Sequence, residues 1–267
     1  MKKAFTLFVL ASSFMISLQV NVFAQDEQEK RHRLEANFSY EHLTPRDVYG
    51  SWKTLSIGFY NKLKSDLTYF LQLGVFSRDE GDAGLGTLGV YKDWGSRFYT
   101  YSALSGSTNS EYLPRFRIDN DFNLKIGSKK NLVWTAGISY IRYFDVHKDL
   151  ILSTGLTLYH QEWILSYRVF RNDSSPGNVI SYSHLVSTGY GREGWQWTYL
   201  DFSYGKQAYL AINLASPEQV AQNSSYAAFK HRRWLGIDYG IFMDISYLKL
   251  EDGYEKYGFS PGIFKQF

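Results

Sequence analysis

Arg115-Phe116-Arg117-Ile118-Asp119-Asn120-Asp121-Phe122-Asn123-Leu124-Lys125-Ile126 is the stretch on which the fold turns. Phe116, Ile118, Phe122, Leu124 and Ile126 alternate with Arg117, Asp119, Asp121, Asn123 and Lys125. Side chains on a strand point to opposite faces in turn, so this strand has one apolar edge and one charged edge. In a soluble sheet the charged edge faces water. In a membrane barrel it faces a wet lumen and the apolar edge meets lipid. One strand does not separate these readings, so the rest of the chain must.

The same period recurs from end to end. Leu34, Ala36, Phe38 and Tyr40 alternate with Glu35, Asn37, Ser39 and Glu41, and Leu67, Tyr69, Leu71, Leu73 and Val75 mark another apolar edge. About fourteen such runs are separated by turn residues, or twelve if short neighbours merge. The later runs include Ala228 to Asp238 and Tyr254 to Phe267. Longer connections follow odd-numbered runs: His42 to Gly50, Arg78 to Ala83, Ser107 to Glu111, Phe144 to Lys148, Asn172 to Asn178 and Gly205 to Ala227. Tight ones, such as Lys64-Ser65 and Tyr239-Gly240, follow most even-numbered runs. Outer-membrane barrels have short periplasmic turns and longer outer loops, and a β-sandwich has no reason to alternate in this way. The expected fold is an all-β, antiparallel, transmembrane up-and-down β-barrel with both termini periplasmic.

Composition and targeting agree. Lys2 and Lys3, an apolar run from Phe5 to Leu18, and Val22-Phe23-Ala24 read as a signal peptide over residues 1–24. A short tail over 25–32 and a barrel over 33–267 follow. Aromatic residues make up 18% of the chain, and no mature segment approaches the apolar length of a spanning helix. With no cysteine, a disulfide framework and a thiolate zinc site are excluded. A formal charge of +3 gives no reason to expect nucleic acid as a partner.

The last run ends on Phe267, with Tyr257, Phe259 and Ile263 on the same edge. A terminal aromatic after alternating apolar residues is similar to the end signal that barrel-insertion machinery reads. Lys265 departs from that pattern. Pro261 implies either a bulge or a register shifted by one.

Tyr112-Leu113-Pro114-Arg115-Phe116-Arg117, Ala136-Gly137-Ile138-Ser139-Tyr140, and the stretch from Leu152 to Arg168 with Trp163 and Tyr167-Arg168 resemble the YaiO-type outer-membrane barrel family. The resemblance covers nearly the whole mature chain and implies a barrel in the outer membrane of a Gram-negative bacterium. It brings no residue-by-residue chemistry.

With the apolar edges outward, the expected lumen is lined by Glu35, Asn37, Ser39, Lys53, Arg117, Asp119, Asp121, Asn123, Lys125, Glu162, Ser166, Arg168, Asp201 and Asp244. Both signs occur, which fits charges paired across a filled lumen better than a ring of one selectivity. Trp94, Trp134, Trp163, Trp195 and Trp197 lie near strand ends, as girdle residues do. Trp195, Trp197 and Tyr199, on one edge with Asp201, are candidates for sugar stacking. His184 shares its edge with Ile180, Tyr182 and Val186, so alternation turns it away from Ser181, Ser183 and Ser187. Asp119 and Asp121 stand about 7 Å apart on one edge. No nucleophile–base pair, metal-ligand spacing or cofactor motif stands out.

The function expected is therefore non-enzymatic: a narrow or plugged conduit with a polar lumen, or a structural partner linked to envelope polysaccharide. Outer-membrane lipid, the insertion machinery and a small polar or saccharide solute are the expected partners. A membrane-embedded enzyme acting on outer-leaflet lipid or glycan is the alternative.

Overall fold

The computed structural model describes residues 31–108, 110, 112–206, 223–251 and 253–267. The signal peptide and nearly all of the tail expected before the barrel lie outside the described residues, as does 207–222.

Fourteen antiparallel strands close into a barrel. The first seven are β1 (His32–Thr44), β2 (Ser51–Lys64), β3 (Leu67–Arg78), β4 (Gly81–Asp93), β5 (Phe98–Ser107), β6 (Phe116–Ile126) and β7 (Leu132–Arg142). The second seven are β8 (Lys148–His160), β9 (Trp163–Ser175), β10 (Val179–Arg192), β11 (Gln196–Lys206), β12 (Asn223–Trp234), β13 (Tyr239–Leu250) and β14 (Glu255–Gln266). One helical turn, α1 (Arg46–Tyr49), stands between β1 and β2. Each strand pairs with its neighbour in sequence, and β1 pairs with β14, so no edge is left open.

The alternation of apolar and polar residues decides which face is which. On β6, Ile118, Phe122 and Leu124 are exposed on the outer wall, while Arg117, Asp119 and Asn123 are buried inside. Leu55, Ile57, Leu71, Leu73, Val75, Leu88, Leu104, Val186, Leu200 and Phe202 continue that outer surface around the cylinder. Such a continuous exposed apolar wall belongs against acyl chains. Aromatic rings mark its two rims. Trp94, Phe98, Trp134, Trp163 and Tyr239 stand at the end that holds both termini, and Tyr40, Tyr182, Tyr204 and Tyr257 at the other. Amphipathic rings collect where headgroups meet hydrocarbon.

Pro261 introduces neither a bulge nor a shifted register. Pairing of β1 with β14 runs from Arg33↔Gln266 to Asn37↔Gly262, lapses opposite Pro261, and resumes at Tyr40↔Phe259 in the same register. A residue with no N–H leaves a gap in the ladder without displacing it. The one shift between β2 and its partner falls instead between Lys62 and Lys64. Closure is completed at the seam by paired backbone bonds, His32 N–H to Phe267 O and Phe267 N–H to His32 O, each 2.9 Å.

Several expected connections are shorter than the sequence rhythm implies. Only Asp79-Glu80 separates β3 from β4, only Pro176-Gly177-Asn178 separates β9 from β10, and β12 takes in Asn223 to Ala227 from the expected long loop. Hairpin pairing continues there past the apolar zone, because backbone groups satisfied by a neighbouring strand need no membrane to keep them paired.

Candidate lumen site

The end of the barrel that holds the strand connections after β1, β3, β5 and the later odd strands is called the loop end. The opposite end, with the termini, is the turn end. Between them the inward face carries three tiers.

Near the loop end buried apolar clusters take inward positions of β1–β4, β7, β8 and β13. Other loop-end inward positions, on β8–β12, hold the buried polar residues Asp149, Asn172, Ser181, Ser183, Ser203 and Ser224. Leu43, Trp52, Leu248, Leu250 and Tyr254 form one buried cluster, with Tyr49 and Tyr226 against it. Phe76, Ala83, Leu85, Tyr112 and Leu113 form a second, and Ile141, Tyr143 and Ile151 a third. Tyr112 and Leu113 come from the β5–β6 connection, where Leu113 is fully buried. Arg78 joins the first two clusters. Its guanidinium lies 3.7 Å from the Trp52 ring centroid and 4.2 Å from that of Tyr112. A cation between two aromatic faces gains about 0.5–2 kcal/mol per face, more as it is desolvated. Tyr112 Oη donates to the Gly81 carbonyl at 2.8 Å, which anchors the connection to the top of β4. We refer to these residues as the collar.

Below the collar the inward face is polar and ion-paired. Arg117 Nε meets both Asp119 oxygens at 2.9 Å. Arg168 reaches from β9 across two strands to Asp121, with Nη1–Oδ2 at 2.9 Å, and also donates to Ser153 Oγ at 2.7 Å. That reach needs Gly137. A Cβ there would come within 2.3 Å of both the Arg168 guanidinium and the Asp121 carboxylate. Lys230 pairs with Asp201 at 2.9 Å, Lys256 with Glu41 at 2.9 Å, and Arg33 with Glu35 at 2.8 Å, while Arg232 shares the Glu35 carboxylate. Charges drawn from water this far must be partnered, because leaving one partner alone is strongly destabilising. On the side of β1–β4 and β12–β14 these groups border a cavity of about 410 Å³, lined by Glu35, Asn37, Ser56, Gln72, Asp244 and Ser260 among others.

Toward the turn end the inward face becomes aromatic. Tyr60 stacks on Phe70 at 5.5 Å, Phe70 lies parallel to Tyr101 at 6.2 Å, and Tyr91 meets Tyr101 at 4.8 Å. Farther round the wall Trp197 stacks on Tyr199 at 5.7 Å.

Most of the lumen residues expected from sequence do face inward: Glu35, Asn37, Ser39, Arg117, Asp119, Asp121, Asn123, Lys125, Ser166, Arg168, Asp201 and Asp244. Lys125 lies over the Tyr99 ring at 5.2 Å. Two do not. Lys53 is exposed on the outer face with Leu55 and Ile57, paired laterally with Tyr40, because Trp52 takes the inward position on β2. Glu162 lies in the β8–β9 turn and bonds the Tyr190 hydroxyl on the outer rim. Trp195 also leaves the expected edge. It sits in the β10–β11 turn, edge-on to Tyr190, so only Trp197 and Tyr199 look into the lumen.

The lumen residues expected from sequence leave out Arg33, Arg232 and Lys230, the partners of Glu35 and Asp201, and the Glu41–Lys256 pair. Arg33 and Glu41 share the Glu35 edge and were readable. Lys230 and Arg232 fall within the expected run Ala228 to Asp238, but His231 and Arg233 on the other edge leave no apolar face there to orient them. His184 points outward, its ring stacked on Tyr167 and its Nδ1 2.9 Å from the Tyr167 hydroxyl. Ser181 and Ser183 are buried on the opposite face. Asp119 and Asp121 are each held by an arginine. Among the described residues no cluster of metal-ligating side chains occurs.

A closed cylinder, apolar outside, aromatic at both rims and ion-paired within, defines a membrane β-barrel of the bacterial outer membrane. The YaiO membrane beta barrel domain matches residues 31–210, and the chain belongs to that family. No match was found among curated protein sequences. Among solved structures, a deletion mutant of the TodX monoaromatic hydrocarbon channel superposes with a TM-score of 0.58 at 9% identity, covering 89% of this chain and 91% of that one. Omp33 of Acinetobacter baumannii gives 0.55 at 7% identity, covering 90% and 100%. A bacterial polysaccharide outer membrane secretin gives 0.55 at 8%, covering 90% and 100%. At these identities the likeness is one of fold.

Proposed function

We propose that this protein is a narrow conduit for small polar or saccharide solutes linked to the bacterial envelope, entered from the turn end and shut at the loop end by the collar. In this reading the termini and turns face the periplasm, and Phe267, exposed on the outer wall and bonded to the start of β1, is the signal for the insertion machinery. The observation that carries it is the change in character along the inward face. A polar, cavity-bearing middle runs into buried apolar clusters, two residues of which, Tyr112 and Leu113, come from a connection rather than from the wall. Apolar constrictions exclude water and ions until displaced. A permanently filled structural barrel has no need of a cavity of about 410 Å³ beside its ion pairs.

Planar-bilayer recording tests the proposal. The native protein should be silent or show rare small steps, and the Tyr112→Ala/Leu113→Ala variant should show frequent, larger ones. A variant as silent as the native protein would overturn the reading and leave a structural barrel.

A further inference from the structure

The aromatic tier at the turn end is not needed to close the barrel, since every strand is already paired. Its geometry is that of a platform. Tyr60, Phe70, Tyr91 and Tyr101 come from four successive strands, β2 to β5, and their registers bring them together: Tyr60↔Phe70, Phe70↔Gly89 and Tyr91↔Tyr101. Gly89 lets the Phe70 ring lie against the wall, because a Cβ there would stand 2.2 Å from it. Phe70 is thereby buried at 6% exposure, and Tyr91 above it keeps 45%. A buried ring beneath an exposed Tyr91 and a half-buried Tyr101, inside a polar lumen, is an arrangement that folding alone does not favour, since part of the apolar surface stays wet.

The platform adjoins the polar cavity through one contact. Gln72, on the cavity wall, donates to Tyr60 Oη at 2.9 Å. The cavity volume of about 410 Å³ lies within the range of small-ligand sites. Asn37, Ser56, Gln72 and Ser260 give it amide and hydroxyl groups that both donate and accept. Both lysines on that wall are committed, Lys230 to Asp201 and Lys256 to Glu41. Glu35, Glu41 and Asp244 add carboxylates. This electrostatic setting disfavours an anionic guest.

We propose that the turn-end half of the lumen is a binding site for neutral saccharides, with the Tyr91–Tyr101 pair stacking on the apolar face of a sugar ring and the Gln72 side of the cavity bonding its hydroxyls. A pyranose has just such a division, C–H groups on one face and hydroxyls around its edge. The proposal rests on the conduit reading in taking the lumen to be open to solute from the turn end, and it adds the class of solute.

Calorimetric titration of the full-length protein in detergent, with maltotriose and separately with trigalacturonate, tests it. The native protein should bind maltotriose weakly and trigalacturonate more weakly still. Tyr91→Ala and Tyr101→Ala should each weaken maltotriose binding about tenfold, the loss of one stacking face. Tyr91→Phe should bind like the native protein, and Trp163→Ala, altered on the outer wall, should not differ from it. Heat-modifiable migration on a gel confirms that each variant is folded. Should an alanine variant misfold, Tyr91→Leu against Tyr91→Phe gives the same contrast. No maltotriose binding, equal binding by the alanine variants, or tighter binding of trigalacturonate would each overturn the proposal. Sugar binding without conductance in the collar variant removes the conduit and keeps the site. Conductance without sugar binding does the reverse.

Discussion

The loop end and the middle of the barrel obey opposite rules. In the middle, Asp119, Asp121 and Asn123 point inward and Ile118, Phe122 and Leu124 outward. At the loop end, Leu43, Trp52, Phe76, Ile141 and Leu248 point inward and are buried, although they belong to the same strands or their neighbours. The difference is one of solvent. Where lipid surrounds the wall, the apolar face goes out to meet it. Above that zone water surrounds the wall, and the residues revert to the order of a soluble protein, with an apolar core roofed by a connection. A membrane barrel of this kind is therefore two physical regimes stacked along one axis.

The contrast can be broken most severely inside the collar. Leu43→Ala should cost about 2–5 kcal/mol, the price of a cavity in a packed core. Leu73→Ala, exposed on the outer wall, should cost about 1 kcal/mol or less, because lipid fills the space. Equal costs in denaturant unfolding would remove the distinction between the regimes. Next, Phe122→Arg should cost about 2–4 kcal/mol through a charge in hydrocarbon. Asp121→Asn, one residue away on the inward face, should still insert, because it leaves Arg168 an amide oxygen to bond and both side chains stay partly exposed to the lumen. Similar insertion yields for the two would contradict the facing assigned to β6.

Gly137→Ala sharpens the picture of the polar middle. Its new Cβ would separate Arg168 from Asp121, and we expect a loss of about 1–3 kcal/mol from overpacking. An unchanged unfolding midpoint would mean that the pair does not span those strands. The smallest effect lies in the β2–β3 turn. The Lys92 ammonium, hydrogen-bonded to Asp66, holds its carboxyl below the usual carboxylate range. A carboxyl lowered on folding adds stability that is present above its unfolded pKa, about 4, and is lost as pH falls through the lower folded value. The native protein and Asp66→Asn should thus differ slightly at neutral pH and converge in strong acid. A difference that grows on acidification would reverse the sign of the interaction.

Much of the fold was legible because the middle of each strand reports its environment directly. The period of two in Arg115 to Ile126 turns Ile118, Phe122 and Leu124 outward and Arg117, Asp119 and Asn123 inward, as they stand on β6, and leaves only Asn120 outside the pattern. Strand number was legible for the same reason. The collar was not, because Leu43 and Trp52 extend the alternation while inverting its meaning, and nothing local marks where lipid gives way to water. Lys53 was misplaced by this inversion: a charge beside an apolar residue was read as inward, when Trp52 had taken that side. Glu162 and Trp195 were misplaced by boundaries, each falling just outside the strand that was to orient it. The aromatic platform depends on registers across four strands, and even the Tyr91–Tyr101 pair, partners across one hairpin, needs the length of the turn between Asp93 and Phe98, which reads as shorter in the sequence.

The most direct test uses the absence of native cysteine. Gln72→Cys and Leu73→Cys differ by one position on β3 and face opposite sides of the wall. A membrane-impermeant maleimide is added to either side of reconstituted vesicles, and labelling is followed over time. We expect Leu73→Cys to stay unlabelled from both sides and Gln72→Cys to react from the turn side alone. Labelling of Gln72→Cys equally fast from the loop side, or reaction of Leu73→Cys in its place, would contradict a closed cylinder shut above a polar lumen.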